Sequence, residues 1–173
     1  MTQNLDVLAL TETWHHDSRD VCLRQAAPPD FAVVDVVRPH QPGYGDIAVL
    51  YSGQLRCAKV DLPPRTSFEA LCTRFRAGNS AWLMLTVYRP ESCDASATTT
   101  FFISSRNYLQ YWKLSSLTAV LSLSTVTLTY TSDACSSRLT ELLSCMDLQQ
   151  HVTSPTHQAG CQDFLARPVF GDV

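Results

Sequence analysis

The sequence predicts a mixed α/β protein whose weight lies in β-sheet, and three observations carry that reading. Runs rich in Val, Ile and Leu recur between residues 31 and 88, separated by short turns containing Pro and Gly. Residues 119–130 alternate Leu, Val and Tyr with Ser and Thr, the period-two pattern of a strand or hairpin. Cys135, Leu139, Leu142, Leu143 and Met146 fall at helical spacing, one apolar stripe of about three turns behind Asp133 as cap.

Element by element, Leu5 to Leu10 crowds Val7, Leu8 and Leu10 into a short buried strand that leaves the sheet at Thr11-Glu12-Thr13. Phe31 to Val37 is a Val-rich strand closed by Arg38-Pro39. After the turn Pro42-Gly43-Tyr44-Gly45, Ile47-Ala48-Val49-Leu50 resumes a strand. Ser52-Gly53 reads as a hairpin-like link into residues 55–62, which Pro63-Pro64 ends. Ser67 to Phe75 fits strand and helix equally. Ala81 to Tyr88 is apolar enough to lie inside a sheet. Strands joined by such short turns describe a meander rather than βαβ crossovers. Residues 91–100 are a polar loop, and 101–117 lack clean periodicity. Leu148 to Val152 forms a short strand, and beyond Asp163-Phe164-Leu165-Ala166 the pattern fades.

A chain of 173 residues suits one domain and can bury a sizeable core. The formal charge of −3 argues against gripping nucleic acid by bulk positive charge. It leaves room for a local Arg and a bound cation. Seven scattered cysteines, with no Cys-x-x-Cys pair, read as thiols in a reducing compartment rather than a disulfide framework or a zinc site. No basic-then-apolar leader opens the chain, and the apolar run from Ala81 to Val87 is too short to span a bilayer. The expectation is an intracellular protein, not secreted and not membrane-bound, with nucleus and cytoplasm undistinguished.

Three places carry possible chemistry. Glu12 stands just past a buried strand, where a carboxylate can hold a hard divalent cation; from position alone a solvated acid is the simpler reading. Trp14 beside it reads as a packing residue rather than a stacking platform. Tyr88-Arg89-Pro90 ends another strand, where a phenol can donate to a phosphate oxygen and a guanidinium can pair with it. The equally good alternative is a Tyr closing the core and an Arg on its rim. Asp163 follows His157 by six residues and could orient it as a general base. His15, His16, His40 and His151 show no ligand spacing and are expected to be structural.

Taken in order, Leu8-Ala9-Leu10-Thr11-Glu12-Thr13-Trp14, Gly45-Asp46-Ile47-Ala48-Val49-Leu50-Tyr51 and Thr86-Val87-Tyr88-Arg89-Pro90 resemble the endonuclease/exonuclease/phosphatase superfamily. More narrowly they resemble the apurinic-type endonuclease domain of non-LTR retrotransposons. The helix with Asp147 to Val152, and Pro155-Thr156-His157-Gln158-Ala159-Gly160, extend the likeness over most of residues 5–166. The resemblance implies a four-layer sandwich, two packed β-sheets flanked by helices, as a single partial domain over 1–173. It implies Mg²⁺- or Mn²⁺-dependent cleavage of phosphodiester bonds in DNA; it names no protein partner. By that likeness Glu12 is the metal-binding Glu, Tyr88 the Tyr near the scissile phosphate, Arg89 its phosphate-binding neighbour and Asp163 the Asp that orients the catalytic histidine.

Three departures accompany the matches. The family's first strand, ending in an Asn, is expected before Leu5, and its closing Ser-Asp-His after Asp163; neither is found. Its Gly-Asp-Phe-Asn motif, whose Asp activates water, has no counterpart between Ala119 and Asp133. In its place stands Val126-Thr127-Leu128-Thr129-Tyr130-Thr131. The codons GGT GAC TTT AAC ATA CAC encode Gly-Asp-Phe-Asn-Ile-His. Read one base later, with G following, they encode Val-Thr-Leu-Thr-Tyr-Thr. A reading-frame slip between about Thr98 and Leu117, recovered near Ser132, accounts for both the loss and the missing periodicity before it. The coding DNA in its three frames is the check. The expected protein is thus endonuclease-like and catalytically impaired. The alternatives are a non-enzymatic binding or scaffold remnant and a decayed open reading frame with no cellular role.

Overall fold

The computed structural model describes residues 5–17, 20–38, 44–63, 68–89, 118–125, 141, 144, 148–150 and 163–168. Nine strands and one short helix are placed among them. β1 (Val7–Thr11), β2 (Phe31–Val36) and β3 (Ile47–Ser52) form a small antiparallel sheet in the order β1-β3-β2. β4 (Arg56–Val60), β5 (Glu69–Ala77), β6 (Ser80–Arg89), β7 (Thr118–Thr125), β8 (Leu148–Gln150) and β9 (Asp163–Pro168) form a larger sheet. Its order is β4-β5-β6-β7-β9-β8, antiparallel except where β6 runs parallel to β7.

The two sheets pack on each other through alternate residues of their strands, the sandwich that the resemblance implies. Ile47 and Val49 of β3 meet Leu71 and Phe75 of β5 and Met84 and Tyr88 of β6. In the small sheet Val7, Tyr51 and Ala32 share one cross-strand row, Ala9, Val49 and Val34 the next, and Thr11, Ile47 and Val36 the third. The first four residues of β3 are all buried, so this central strand is covered on both faces and reads as continuously apolar. The aromatic ring of Phe75 lies between Tyr51, edge-on at 5.7 Å, and Trp82, stacked at 5.7 Å. Truncating such a residue to Ala costs about 3–5 kcal/mol.

The meander reading holds for β4-β5-β6 but not for the whole stretch. Ser52-Gly53 does not open a hairpin within one sheet. β3 is already paired on both edges, by β1 and β2, so the chain must step to the other sheet to pair β4. The step is fixed by Gly53 N–H donating to Asp30 O at 2.7 Å and Leu55 N–H to Ser52 O at 2.9 Å. Residues 69–75 settle as strand, because an edge between β4 and β6 satisfies their backbone on both sides. Two elements escaped the sequence reading. α1 (Val21–Ala26) is only six residues long, too short for periodicity to show, and starts where Asp20 accepts from Cys22 N–H at 2.8 Å. β9 continues through Arg167-Pro168, where the pattern fades; cross-strand pairing to β7 and β8 supplies what composition does not.

In the expected helix 135–146, Glu141 and Ser144 are helical and its other residues lie outside those described, as do residues 126–131 and His157. Cys22, Cys57 and Cys72 are unbridged, as expected of scattered thiols, and burial pushes the Cys57 thiol up to about 11. Among the described residues no helix is long and apolar enough to cross a membrane.

Candidate active site

One end of the sandwich collects nearly every polar residue of interest, and strand direction decides which end. β1, β2, β6 and β7 finish there, whereas β3, β5 and β9 begin there. Glu12 therefore follows β1, Arg38 follows β2, Asp46 precedes β3, Glu69 opens β5, and Tyr88 and Arg89 close β6.

Glu12 and Tyr88 bridge the two sheets. The phenol of Tyr88, almost wholly buried at 4% exposure, donates to Glu12 Oε1, while the rest of Glu12 faces solvent. Both simple alternatives are thus half true: Tyr88 does close the core, and Glu12 is a solvated acid with one oxygen engaged. Burial drives the phenol well above its usual range, and the Glu12 carboxylate adds to the effect. Tyr88 is consequently a hydrogen-bond donor at neutral pH, not a base.

The backbone that carries Glu12 is strained. Glu12 has φ 54° and Trp14 φ 51°, both left-handed and neither a glycine. Each such residue costs about 1–2 kcal/mol, so neighbouring contacts must hold the turn. They are unusually specific. Thr13 Oγ1 lies 2.7 Å from His15 Nδ1, and His15 Nε2 lies 3.1 Å from Asp35 Oδ2. His15 is 2% exposed and sits as a pin between the loop and β2. Trp14 N–H donates to Gly45 O at 3.1 Å, tying the same turn to the start of β3. The indole of Trp14 does not pack into the core as expected: it is 58% exposed. A left-handed residue points its side chain away from the path that an extended one would take, and here that direction is outward.

Behind this pair lies a charged cluster that the sequence reading did not single out. Arg38 pairs with Glu69, its Nε donating to Oε1 at 2.7 Å. Asp46 N–H donates to Glu69 Oε2 at 2.7 Å, and Arg38 N–H donates to Asp46 Oδ1 at 2.6 Å. Burial raises the Glu69 carboxyl above the ordinary range, with Arg38 opposing the shift. Asp46 Oδ2 is buried with no hydrogen-bond partner among the described residues. Gly45, at φ 78°, is required here: a Cβ would lie 2.6 Å from Glu69 Oε1. Continuing the β2–β3 register, in which Val36 opposes Ile47, sets Arg38 opposite Gly45 and so beside Asp46. Glu69 has no local signal.

The remaining residues are placed by register. Tyr88 pairs with Glu69 on one side and Ser124 on the other, and Ser124 pairs with Asp163. Tyr88 and Asp163 are therefore two strands apart in one cross-strand row, 75 residues apart in sequence. Arg89 is the last residue of β6, opposite Thr125. The fold brings Glu12 and Tyr88 into contact and puts Arg89 and Asp163 at the same end.

No known family's sequence pattern matches this chain, and no curated protein matches it. Its likeness to solved structures is extensive. The catalytic domain of human Nocturnin, solved with bound sulfate, matches at TM-score 0.67 and 11% identity over 94% of this chain and 68% of that one. The AP endonuclease LMAP from Leishmania major matches at 0.65 and 13% over 96% and 70%. The endonuclease domain of TRAS1, a telomere-specific non-LTR retrotransposon, matches at 0.59 and 10% over 85% and 75%. The chain has the endonuclease/exonuclease/phosphatase fold. At such identities the likeness rests on strand order and packing, so the endonuclease/exonuclease/phosphatase sandwich survives here with few of its side chains kept. The end of the sandwich where Glu12 meets Tyr88 is the end that its sequence motifs mark.

Proposed function

We propose that this chain is a single partial endonuclease-like domain, directed at phosphodiester bonds of DNA through Mg²⁺ or Mn²⁺, with impaired turnover. The observation that supports it best is the contact between Glu12 and Tyr88 across the two sheets. Both residues were marked by sequence alone, 76 positions apart. LMAP and TRAS1 are endonucleases, which favours the same class.

Glu12 is the one donor proposed for a hard cation, and among the described residues no group of three or more His, Cys, Asp or Glu side chains is placed to hold a metal ion. Glu12 offers a solvent-facing carboxylate, and Mg²⁺ is commonly held by one or two carboxylates while keeping several waters. A bound divalent ion would polarise a phosphate oxygen and offset its charge. With one such carboxylate, binding is expected to be weak. Tyr88, kept protonated, would donate to a non-bridging phosphate oxygen, with Glu12 as the carboxylate that would hold the cation. Arg89 pairs with phosphate as a charge-assisted donor. Asp163 orients a histidine. Impairment follows from residues 126–131, where the sequence stands in place of the family's Gly-Asp-Phe-Asn and contains no carboxylate, amide or imidazole to activate water. Groups of that kind each contribute roughly 10²–10⁴ in rate.

The test is nicking of supercoiled plasmid by the purified chain in Mg²⁺, beside Glu12→Ala. The expected outcome is no nicking above buffer, together with weak Mg²⁺ binding in calorimetry that the substitution removes. Efficient nicking abolished by Glu12→Ala would show that the missing groups are supplied from elsewhere. Mg²⁺ binding unchanged by the substitution would remove Glu12 from the site.

A further inference from the structure

The geometry points to Trp14 and Tyr44 as a stacking platform for an unstacked nucleobase, so that single-stranded DNA, or a base flipped from a duplex, is the preferred ligand. This rests on the proposed reading of the site and deepens it.

Four observations converge on the pair. Trp14 and Tyr44 are 58% and 65% exposed, two large aromatic residues left in solvent. Their rings lie 6.3 Å apart at 41°, close enough to form one aromatic surface and too tilted to cover each other. The surface adjoins the candidate site: Trp14 is two residues from Glu12, and Tyr44 precedes Gly45, against which the Arg38–Glu69 pair packs. Finally, Trp14 is kept in a left-handed conformation by the Thr13–His15–Asp35 contacts and by its N–H bond to Gly45 O. A bulky aromatic in that region is a genuine outlier. The fold thus holds a strained backbone at Trp14 while its indole stays in solvent.

The chemistry of the ligand follows from the ring faces and the charge. Every base has a π-face, so stacking on aromatic rings tolerates any sequence, but bases within a duplex hide those faces. The chain carries a formal charge of −3, so bulk attraction to phosphate is not the main source of affinity. Binding driven by stacking should therefore be weak, favour single strands and depend little on salt.

Binding of a labelled oligothymidine of about a dozen nucleotides by the full chain, followed by fluorescence anisotropy in EDTA, reads the platform without any turnover. Trp14→Leu keeps bulk and hydrophobicity but removes the ring; it should weaken binding about tenfold, and Tyr44→Leu likewise. Trp14→Phe restores a ring and should recover most of the loss. A blunt duplex of the same length should bind several-fold more weakly than the single strand. Thermal melts confirm that each variant folds, and Trp14→Gly, which relieves the left-handed strain, should melt no lower than the parent while binding like Trp14→Leu. Affinity unchanged in Trp14→Leu, no preference for the single strand, or no binding by the parent chain each overturns the assignment. The Glu12-dependent Mg²⁺ binding is read separately, so a chain that binds single strands by stacking but whose Mg²⁺ binding is unchanged by Glu12→Ala fails the proposed metal site alone.

Discussion

The turn at residues 12–15 and the cluster of Arg38, Asp46 and Glu69 occupy the same end of the sandwich and are held in opposite ways. The turn is exposed, strained and short-range. It presents Glu12 and Trp14 to solvent and relies on one buried histidine to stay in place. The cluster is buried and long-range, each charge answered by an ion pair or a backbone N–H. Reactive groups must meet solvent and ligand, so they sit where local backbone geometry aims them. The groups that support them can be withdrawn, and withdrawal strengthens their mutual attraction. Gly45 joins the two, giving its carbonyl to Trp14 and its missing Cβ to the Arg38–Glu69 pair.

This contrast can be broken from either side. Arg38→Met should have the largest effect, because it leaves Glu69 buried with its main partner gone; such a loss costs about 3–5 kcal/mol in chemical denaturation. If stability falls by less than about 1 kcal/mol, the cluster is solvated and the contrast fails. Asp35→Ala should cost less, about 1–3 kcal/mol, since it removes one hydrogen bond from buried His15. Its sharper signature is local. Trp14 fluorescence should shift and Glu12-dependent Mg²⁺ binding should weaken, while a variant on the far side of the core with equal destabilisation leaves both untouched.

Glu69→Gln addresses the smallest effect. The folded-state pKa of Glu69 is raised above its ordinary 4.5. The folded state thus holds the proton more tightly, and this group's contribution is fully present below 4.5 and lost as pH rises through the raised folded value. Relative to Glu69→Gln, the parent should therefore gain stability as pH falls from neutral toward 4.5. Melts that run parallel across that window would show that Arg38 outweighs burial.

Much of the fold was legible. β2, β3 and β6 follow from apolar runs bounded by Pro and Gly, and β1 from an apolar run closed by Thr11-Glu12-Thr13. β7 follows from alternation alone, since Leu and Val separated by Ser and Thr form a strand whatever brought them there. β9 was missed because its neighbours, not its composition, make it a strand. The site divides the same way. Glu12, Tyr88, Arg89 and Asp163 were marked by motif and placed at one end by the fold. Glu69 and the outward turn of Trp14 were not, since an acid within a strand and a Trp after a Glu look ordinary in one dimension.

Side-chain period and turn residues act over a few positions, so the chain alone marked most of the strands and named Glu12, Tyr88, Arg89 and Asp163 as candidates. Only the tertiary structure decided that β3 and β4 belong to different sheets, that Tyr88 meets Glu12, and that Trp14 faces solvent. Those outcomes depend on which strand edges are already paired and on contacts between residues many positions apart, and no local pattern encodes them.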